Sequence, residues 1–280
     1  MSAPTLADVV AQLEDLPSLP AVVMELLSAV DQADADISVL AKKVSYDQAL
    51  TAKTLRLANS SQFGLAVKLT TIQQAITFLG FETTRNLILA AAVTGCFPAG
   101  RCPGFDDKAF WRHSIGTACA ARVLARRLHF NQDIAFTAGL LHDIGRLVLV
   151  TLYPEPYAGV LAYRAAHDVT VREAERAVLG VDHVEAGEAL AAHWNFSPTM
   201  AHALAHHHTP EALGAGFLAT IVHVADAVVH GLDLAADHEE LVPPVSAVAW
   251  TALALDETAW LDVFRETELQ FGEISRVLME

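Results

Sequence analysis

Along this chain of 280 residues, five short segments carry histidine, aspartate or both, the residue types that could together hold a metal. In order they read Trp111-Arg112-His113-Ser114, Leu141-His142-Asp143-Ile144-Gly145-Arg146, Asp182-His183-Val184-Glu185-Ala186-Gly187, His206-His207-His208-Thr209-Pro210 and Val224-Ala225-Asp226. Imidazole nitrogens combined with carboxylate oxygens suit divalent transition metals such as Fe, Mn, Ni or Zn. A carboxylate bridging two ions would let the core of a helical bundle hold a dinuclear site. Adjacent residues on a helix point about 100° apart. His142 and Asp143 can therefore reach one metal only from the flank of an inward face.

Each residue also has a plainer use. His113, behind Trp111, fits an ordinary helix position. His142-Asp143 lies between Leu140-Leu141 and Leu147-Val148-Leu149, where an unpaired carboxylate would be costly, and this favours a functional role. His183 follows Asp182, a candidate N-cap, so a helix-start role competes with metal binding. The run His206-His207-His208 fits either a solvated loop end or a promiscuous metal-binding stretch. Asp226 interrupts the apolar segment from Ile221 to Val229 and needs a partner if buried. The surplus histidines (His129, His167, His193, His202, His206, His223, His230 and His238) are expected mostly at ordinary surface or core positions, although His206 could act as a ligand neighbour.

The elements that must position these residues read as helix after helix, and strand signals are weak throughout. Leu13, Leu16, Leu19, Val22, Val23, Leu26, Leu27 and Val30 recur at helical spacing around the turn Leu16-Pro17-Ser18-Leu19-Pro20. Asp36 or Ser38 can cap a helix carrying Ile37, Leu40, Ala41 and Val44, and Asp47 precedes another with Leu50, Leu55 and Leu57. Thr71 with Gln74, and Thr170 with Glu173, form capping boxes. Gly80 is placed to end a helix, and Ser197-Pro198 to start one. The expected architecture is all-α. An N-terminal helical part (1–97) and a linker (98–107) lead to a histidine-bearing core (108–230), on which a C-terminal helical extension (231–280) packs back.

Composition narrows the function classes. A hydrophobic fraction of 53% and a charged fraction of 18% exclude disorder. Mean hydropathy is +0.34, yet the longest apolar runs, such as Leu87–Phe97 and Leu147–Leu152, fall short of the roughly 20 residues a membrane-spanning helix needs, so no span is expected. The net charge of −15, from 33 acidic and 18 basic residues, repels nucleic-acid backbone, and no nucleic-acid partner is expected. Cys96, Cys102 and Cys119 are odd in number and lack CxxC spacing, which argues against a disulfide framework. Met1-Ser2-Ala3-Pro4-Thr5 shows no signal-peptide pattern, and the expected compartment is the cytoplasm.

From about Leu16 to Val229 the sequence resembles an HDOD domain, a signalling relative of the HD-type metal-dependent phosphohydrolases. The resemblance rests on Leu16-Pro17-Ser18-Leu19-Pro20-Ala21, Leu55-Arg56-Leu57-Ala58-Asn59-Ser60 and Ala75-Ile76-Thr77-Phe78-Leu79-Gly80 in the N-terminal half. It continues through Phe110-Trp111-Arg112-His113-Ser114, Gly139-Leu140-Leu141-His142-Asp143-Ile144-Gly145, the Asp182–Gly187 segment, Trp194-Asn195-Phe196-Ser197-Pro198 and His207-His208-Thr209-Pro210. It implies an N-terminal helical bundle packed on an HD-type bundle, and a regulatory role in bacterial signalling by interaction with a protein partner in trans. The related HD-GYP cyclic-dinucleotide phosphodiesterases place metal ligands at positions similar to His113, His142, Asp143, His183, His207, His208 and Asp226. One or two divalent ions, Fe, Mn, Ni or Zn, are therefore expected.

Two departures count against turnover. Thr209-Pro210-Glu211-Ala212-Leu213-Gly214 lacks the glycine-tyrosine-proline motif of those enzymes, and Arg146 stands where they typically carry lysine. Arg146 remains a candidate phosphate ligand, although arginine and lysine are not interchangeable. Asp47-Gln48 replaces a common aspartate-proline pair, a change expected to affect only a helix start. The alternative function is a metal-dependent phosphohydrolase acting on a nucleotide or cyclic dinucleotide. In that case Arg122, Arg126 and Arg127 would form a basic entrance if they face the site.

Overall fold

Side-chain caps start most of the helices. The computed structural model describes residues 4–16, 44–59, 67–97, 99–237 and 241–278, with positions 23, 25, 41 and 65. Among the described residues, the α-helices with defined bounds are α1 (Leu6–Gln12), α2 (Gln48–Ala58), α3 (Ile72–Leu79), α4 (Phe81–Cys96), α5 (Asp107–Arg127), α6 (Gln132–Leu141) and α7 (Ile144–Leu152). There follow α8 (Pro154–His167), α9 (Val171–Val178), α10 (His183–His193), α11 (Pro198–His206), α12 (Gly216–Gly231), α13 (Ala247–Leu253) and α14 (Glu257–Leu278). No strand occurs among the described residues, and the fold is all-α as expected.

The Thr170–Glu173 box is reciprocal, and Ser197 caps α11 with Pro198 in its first turn. Thr71 accepts from the Gln74 N–H as expected, but the Gln74 side chain accepts from Thr70 instead, so that box is only half made. Gly80 ends α3 at a φ of 86°, where a side chain would be strained. Asp47 Oδ1 accepts from the Leu50 N–H at 2.9 Å, so the missing proline leaves this helix start capped. A complete Thr5–Asp8 capping box starts α1, a helix the sequence reading did not place. The Pro17–Ala21 turn, Ser60 and the Asp36/Ser38 cap lie outside the described residues.

The core is built on α5. Helices α6, α12 and α14 pack against it, while α7 packs on α10, α10 on α11 and α11 on α12. Helix α4 carries α2 and α3 onto α6, and the Asn86 side-chain amide donates to Asp133 Oδ1 at 2.9 Å across that junction. Arg126 and Arg127 bind Glu266 on α14, and Arg127 also binds Asp262. These two arginines hold the C-terminal helix to the body and form no basic entrance.

The sequence reading broke the apolar runs at His142-Asp143. Counted through that doublet, Gln132–Leu152 is long and apolar enough to cross a membrane, but 94% of its apolar 18-residue stretch is buried inside the protein.

Two glycines of the central motif are spacers. A Cβ on Gly145 would lie 1.9 Å from the His183 carbonyl oxygen and 2.6 Å from the Gly187 nitrogen. One on Gly139 would lie 2.7 Å from the Thr117 carbonyl oxygen. Helices α7 and α10, and α6 and α5, touch backbone to backbone there. Gly145→Ala is predicted to cost at least about 2–3 kcal/mol in urea unfolding, because backbone must move. Gly159→Ala, on α8 with only Val178 Cγ1 at 3.6 Å, is predicted to be neutral or stabilising by up to about 1 kcal/mol. Equal losses at the two positions would contradict the spacer role.

Candidate metal centre

Helix α6 stops at Leu141 and α7 starts at Ile144, so His142 and Asp143 sit on the corner between them. That break lets both adjacent side chains turn to one buried point. Asp143 Oδ1 lies 3.5 Å from His142 Nε2, 3.4 Å from His183 Nε2 and 3.5 Å from His207 Nε2. Its other oxygen, Oδ2, lies 3.2 Å from Arg146 Nη1. His183 Nε2 is 3.0 Å from His208 Nε2. Next to this set, His113 Nε2 lies 3.2 Å from His142 Nε2 and 3.1 Å from Asp226 Oδ1. The structure thus brings His113, His142, Asp143, His183, His207, His208 and Asp226 together. Their potential ligand atoms form overlapping groups, each within 4.8 Å, and Asp143 belongs to two of them.

The rings are aimed by their outer nitrogens. His142 and His207 each follow a helix end, and each directs Nδ1 at the carbonyl three residues back, Gly139 and Leu204, at 2.8 Å. His183 directs Nδ1 at Glu175 Oε2 at 2.6 Å. These acceptors assign a proton to each Nδ1 and leave each Nε2 facing the centre, the orientation that second-shell partners impose on metal-binding histidines. The C-terminal ends of α6 and α11 also point their partial negative charge at this region, which favours a cation.

The donor set fits a divalent metal. At metal–ligand lengths of about 2.1 Å, neighbouring ligands stand about 3.0 Å apart in an octahedron and about 3.4 Å in a tetrahedron, which is the spacing found here. His207 Nε2 and Asp226 Oδ1 are buried and have no hydrogen-bond partner among the described residues. The contacts of Asp226 Oδ1 with His113 and His230, and of His207 Nε2 with Asp143, are close without being aligned for hydrogen bonds. Orphaned buried atoms of this kind call for an explanation, and a metal supplies one.

Charge follows the same logic. Burial acts to raise the Asp143 pKa, but His142, His183, His207 and Arg146 outweigh it and hold the group well below the usual carboxylate range. Asp226 is held low in the same way, against burial, chiefly by His230 and His113. Burial lowers His142 to about 4 despite Asp143 and Asp226. Burial also acts to lower His183, yet Glu175 and Asp143 raise it to about 9. His208 is pushed down by burial, His207 and His183. Without metal, then, His183 carries a proton on Nε2 that points at His208 and Asp143.

Sequence reasoning missed two residues. His230 Nε2 lies 3.2 Å from Asp226 Oδ1, one helical turn along α12, and forms a group with His113 and Asp226. Two polar residues at i,i+4 in an apolar helix were a usable signal. Glu175 is fully buried on α9 and receives both the backbone N–H and Nδ1 of His183. Among the other surplus histidines, His223 is a structural bridge, with Nδ1 on the His207 carbonyl oxygen and Nε2 accepting from the Ser246 N–H. His206 faces the His202 ring, outside the cluster.

A pocket of about 260 Å³ opens over Asp143, His208, Asp226 and His230, with Arg172, Glu173 and Pro243 on its walls. Arg172 is bonded through Nε to Asp182 at 2.7 Å. Arg146 does not line this pocket; it borders a different cavity.

The sign of the pH dependence follows from two histidines. His183 is raised above its unfolded value of 6.5, so its contribution is complete below pH 6.5 and is lost as pH rises through 9. His142 is lowered below 6.5, so its contribution is complete above pH 6.5 and is lost as pH falls through 4. Chelator-treated protein is predicted to be most stable near pH 6.5. Above that pH its stability falls with a limiting slope of about 1.4 kcal/mol per unit. Glu175→Gln flattens this alkaline limb in denaturant titrations at several pH values, and an unchanged limb would contradict the role of Glu175.

Comparison with known proteins agrees with this architecture. The HDOD domain family model matches residues 16–210. An HDOD domain protein of unknown function from Geobacter sulfurreducens superposes with a TM-score of 0.77 at 25% identity, covering 98% of this chain and 97% of that one. A candidate phosphohydrolase from Shewanella amazonensis gives a TM-score of 0.75 at 30% identity, covering 96% and 97%. A protein of Treponema pallidum is 28% identical over 207 residues, which is 72% of this chain but only 39% of that relative's length. By family match and by structure, the chain belongs to the HDOD domain family.

Proposed function

We propose that this chain is a regulatory signal-transduction module of the HDOD type, built round a divalent metal centre and acting on a protein partner in trans. Asp143, His183, His207 and His208 would hold one ion, and His113, His142 and Asp226, joined by His230, a second, with Asp143 between them. Bound there, such an ion supplies Lewis-acid chemistry. The chain's own residues orient the donors. Glu175 and the carbonyls of Gly139 and Leu204 fix the three outer nitrogens, and Arg146 balances the far oxygen of Asp143.

The observation that carries a regulatory reading is the wall of the pocket. Among the described residues, its arginine is already bonded to Asp182, Arg146 faces elsewhere, and Glu173, which is not among the metal-binding residues, adds negative charge. A nucleotide would meet this wall on a protein of net charge −15. One observation favours the second reading, a metal-dependent phosphohydrolase acting on a nucleotide or cyclic dinucleotide: the pocket reaches four cluster residues directly. The Shewanella relative is described as a candidate phosphohydrolase.

A phosphoester panel separates the two. Protein loaded with Mn²⁺, Fe²⁺ or Zn²⁺ is predicted to show raised thermal stability and no turnover of linear nucleotides, cyclic dinucleotides or simple aryl phosphates. Steady hydrolysis abolished by His142→Ala would overturn the regulatory reading and establish the enzyme.

A further inference from the structure

A second cavity, of about 240 Å³, shares no described residue with the pocket over the histidine cluster. Most of its wall is polar. Two arginines on consecutive helices, Arg146 on α7 and Arg164 on α8, border it, and they are only 5% and 6% exposed. Buried guanidinium groups are rare and demand an anionic environment. Each has a carboxylate beside it, Arg146 at 3.2 Å from Asp143 and Arg164 at 3.4 Å from Asp237. The remaining carboxylate, Asp106, spends Oδ1 on the Lys108 and Ala109 N–H groups as the cap of α5. Phe105, Ala109, Phe110 and Leu161 supply its apolar wall, and the Arg146 guanidinium stands 5.7 Å over the Phe110 ring.

A purely structural pair of ion pairs would be expected to pack shut, since interiors are close-packed. Here both guanidinium groups border the same open volume. Arginine donors lie in one plane and match the oxygens of a phosphoryl group. At roughly 30 Å³ per water, the cavity has room for inorganic phosphate or for the phosphate end of a nucleotide. We propose that this cavity is a binding site for a phosphoryl anion, held between Arg146 and Arg164. An anion there would touch the same arginine that holds Asp143, so the cavity and the histidine cluster would share one side chain.

The test is calorimetric titration of chelator-treated protein with inorganic phosphate and, separately, with adenosine monophosphate. Removing metal keeps coordination at the histidine cluster out of the signal, so the outcome is independent of the metal reading. The expected result is saturable binding at one site per chain. Arg164→Gln weakens it at least about tenfold, and Arg172→Gln, at the other pocket, leaves it unchanged. Ala109→Leu fills the cavity while keeping both arginines and also weakens binding at least about tenfold. It decides the matter if Arg164→Gln fails to fold. Adenosine monophosphate binding tenfold tighter than phosphate assigns the site to a nucleotide, and equal affinities assign it to free phosphate. Absence of saturable binding, binding that survives either cavity substitution, or binding lost in Arg172→Gln would overturn the proposal.

Discussion

A carboxylate taken out of water costs several kcal/mol unless opposite charge and hydrogen bonds compensate it, and Asp143 is buried at the middle of this bundle. Its surroundings answer that cost from every side. One oxygen faces Arg146, and the other faces three imidazoles delivered by the α6–α7 corner, the first residue of α10 and the end of α11. The helix order and the backbone-to-backbone contact at Gly145 both serve this convergence. Substituting any of these partners would leave a buried charge less compensated, so the site and the fold are one construction.

The same local device appears twice. Helices α6 and α11 are each followed by a histidine that turns back on the carbonyl three residues earlier. This satisfies a helix-end acceptor that would otherwise be left over. It also fixes the ring so that its inner nitrogen meets Asp143. His183, at the start of α10 rather than at a helix end, has no such carbonyl to use. A buried carboxylate from α9, Glu175, takes that role and brings a formal charge with it. That difference explains why His142 is driven down to about 4 while His183 is driven up to about 9.

The all-helical class and the caps at Thr71, Thr170 and Ser197 were legible from residue type and order, whereas the gathering of His113, His142, Asp143, His183, His207, His208 and Asp226 was legible through the family resemblance. Spacing along a helix was enough to expose His230 beside Asp226, although the surplus of histidines masked it. Glu175 was not legible. It stands among Arg172, Glu173 and Arg176, a run that reads as a solvated face, and only the packing of α9 under His183 gives it a purpose. The direction of Arg146 was hidden for a similar reason. Sequence places it one turn beyond Asp143, but which side of α7 meets the pocket depends on how closely Gly145 lets α10 approach.

In this account, the histidine cluster is an assembled metal centre, and the polar atoms left over at His207 and Asp226 are ligands. The most direct measurement is metal content per chain, by plasma mass spectrometry on protein purified without a histidine tag or chelator. The account predicts stoichiometric Fe, Mn, Ni or Zn, up to two equivalents, lost in an Asp143→Ala/His142→Ala variant. A protein that carries no stoichiometric metal, and stays empty after soaking in these ions, would contradict it.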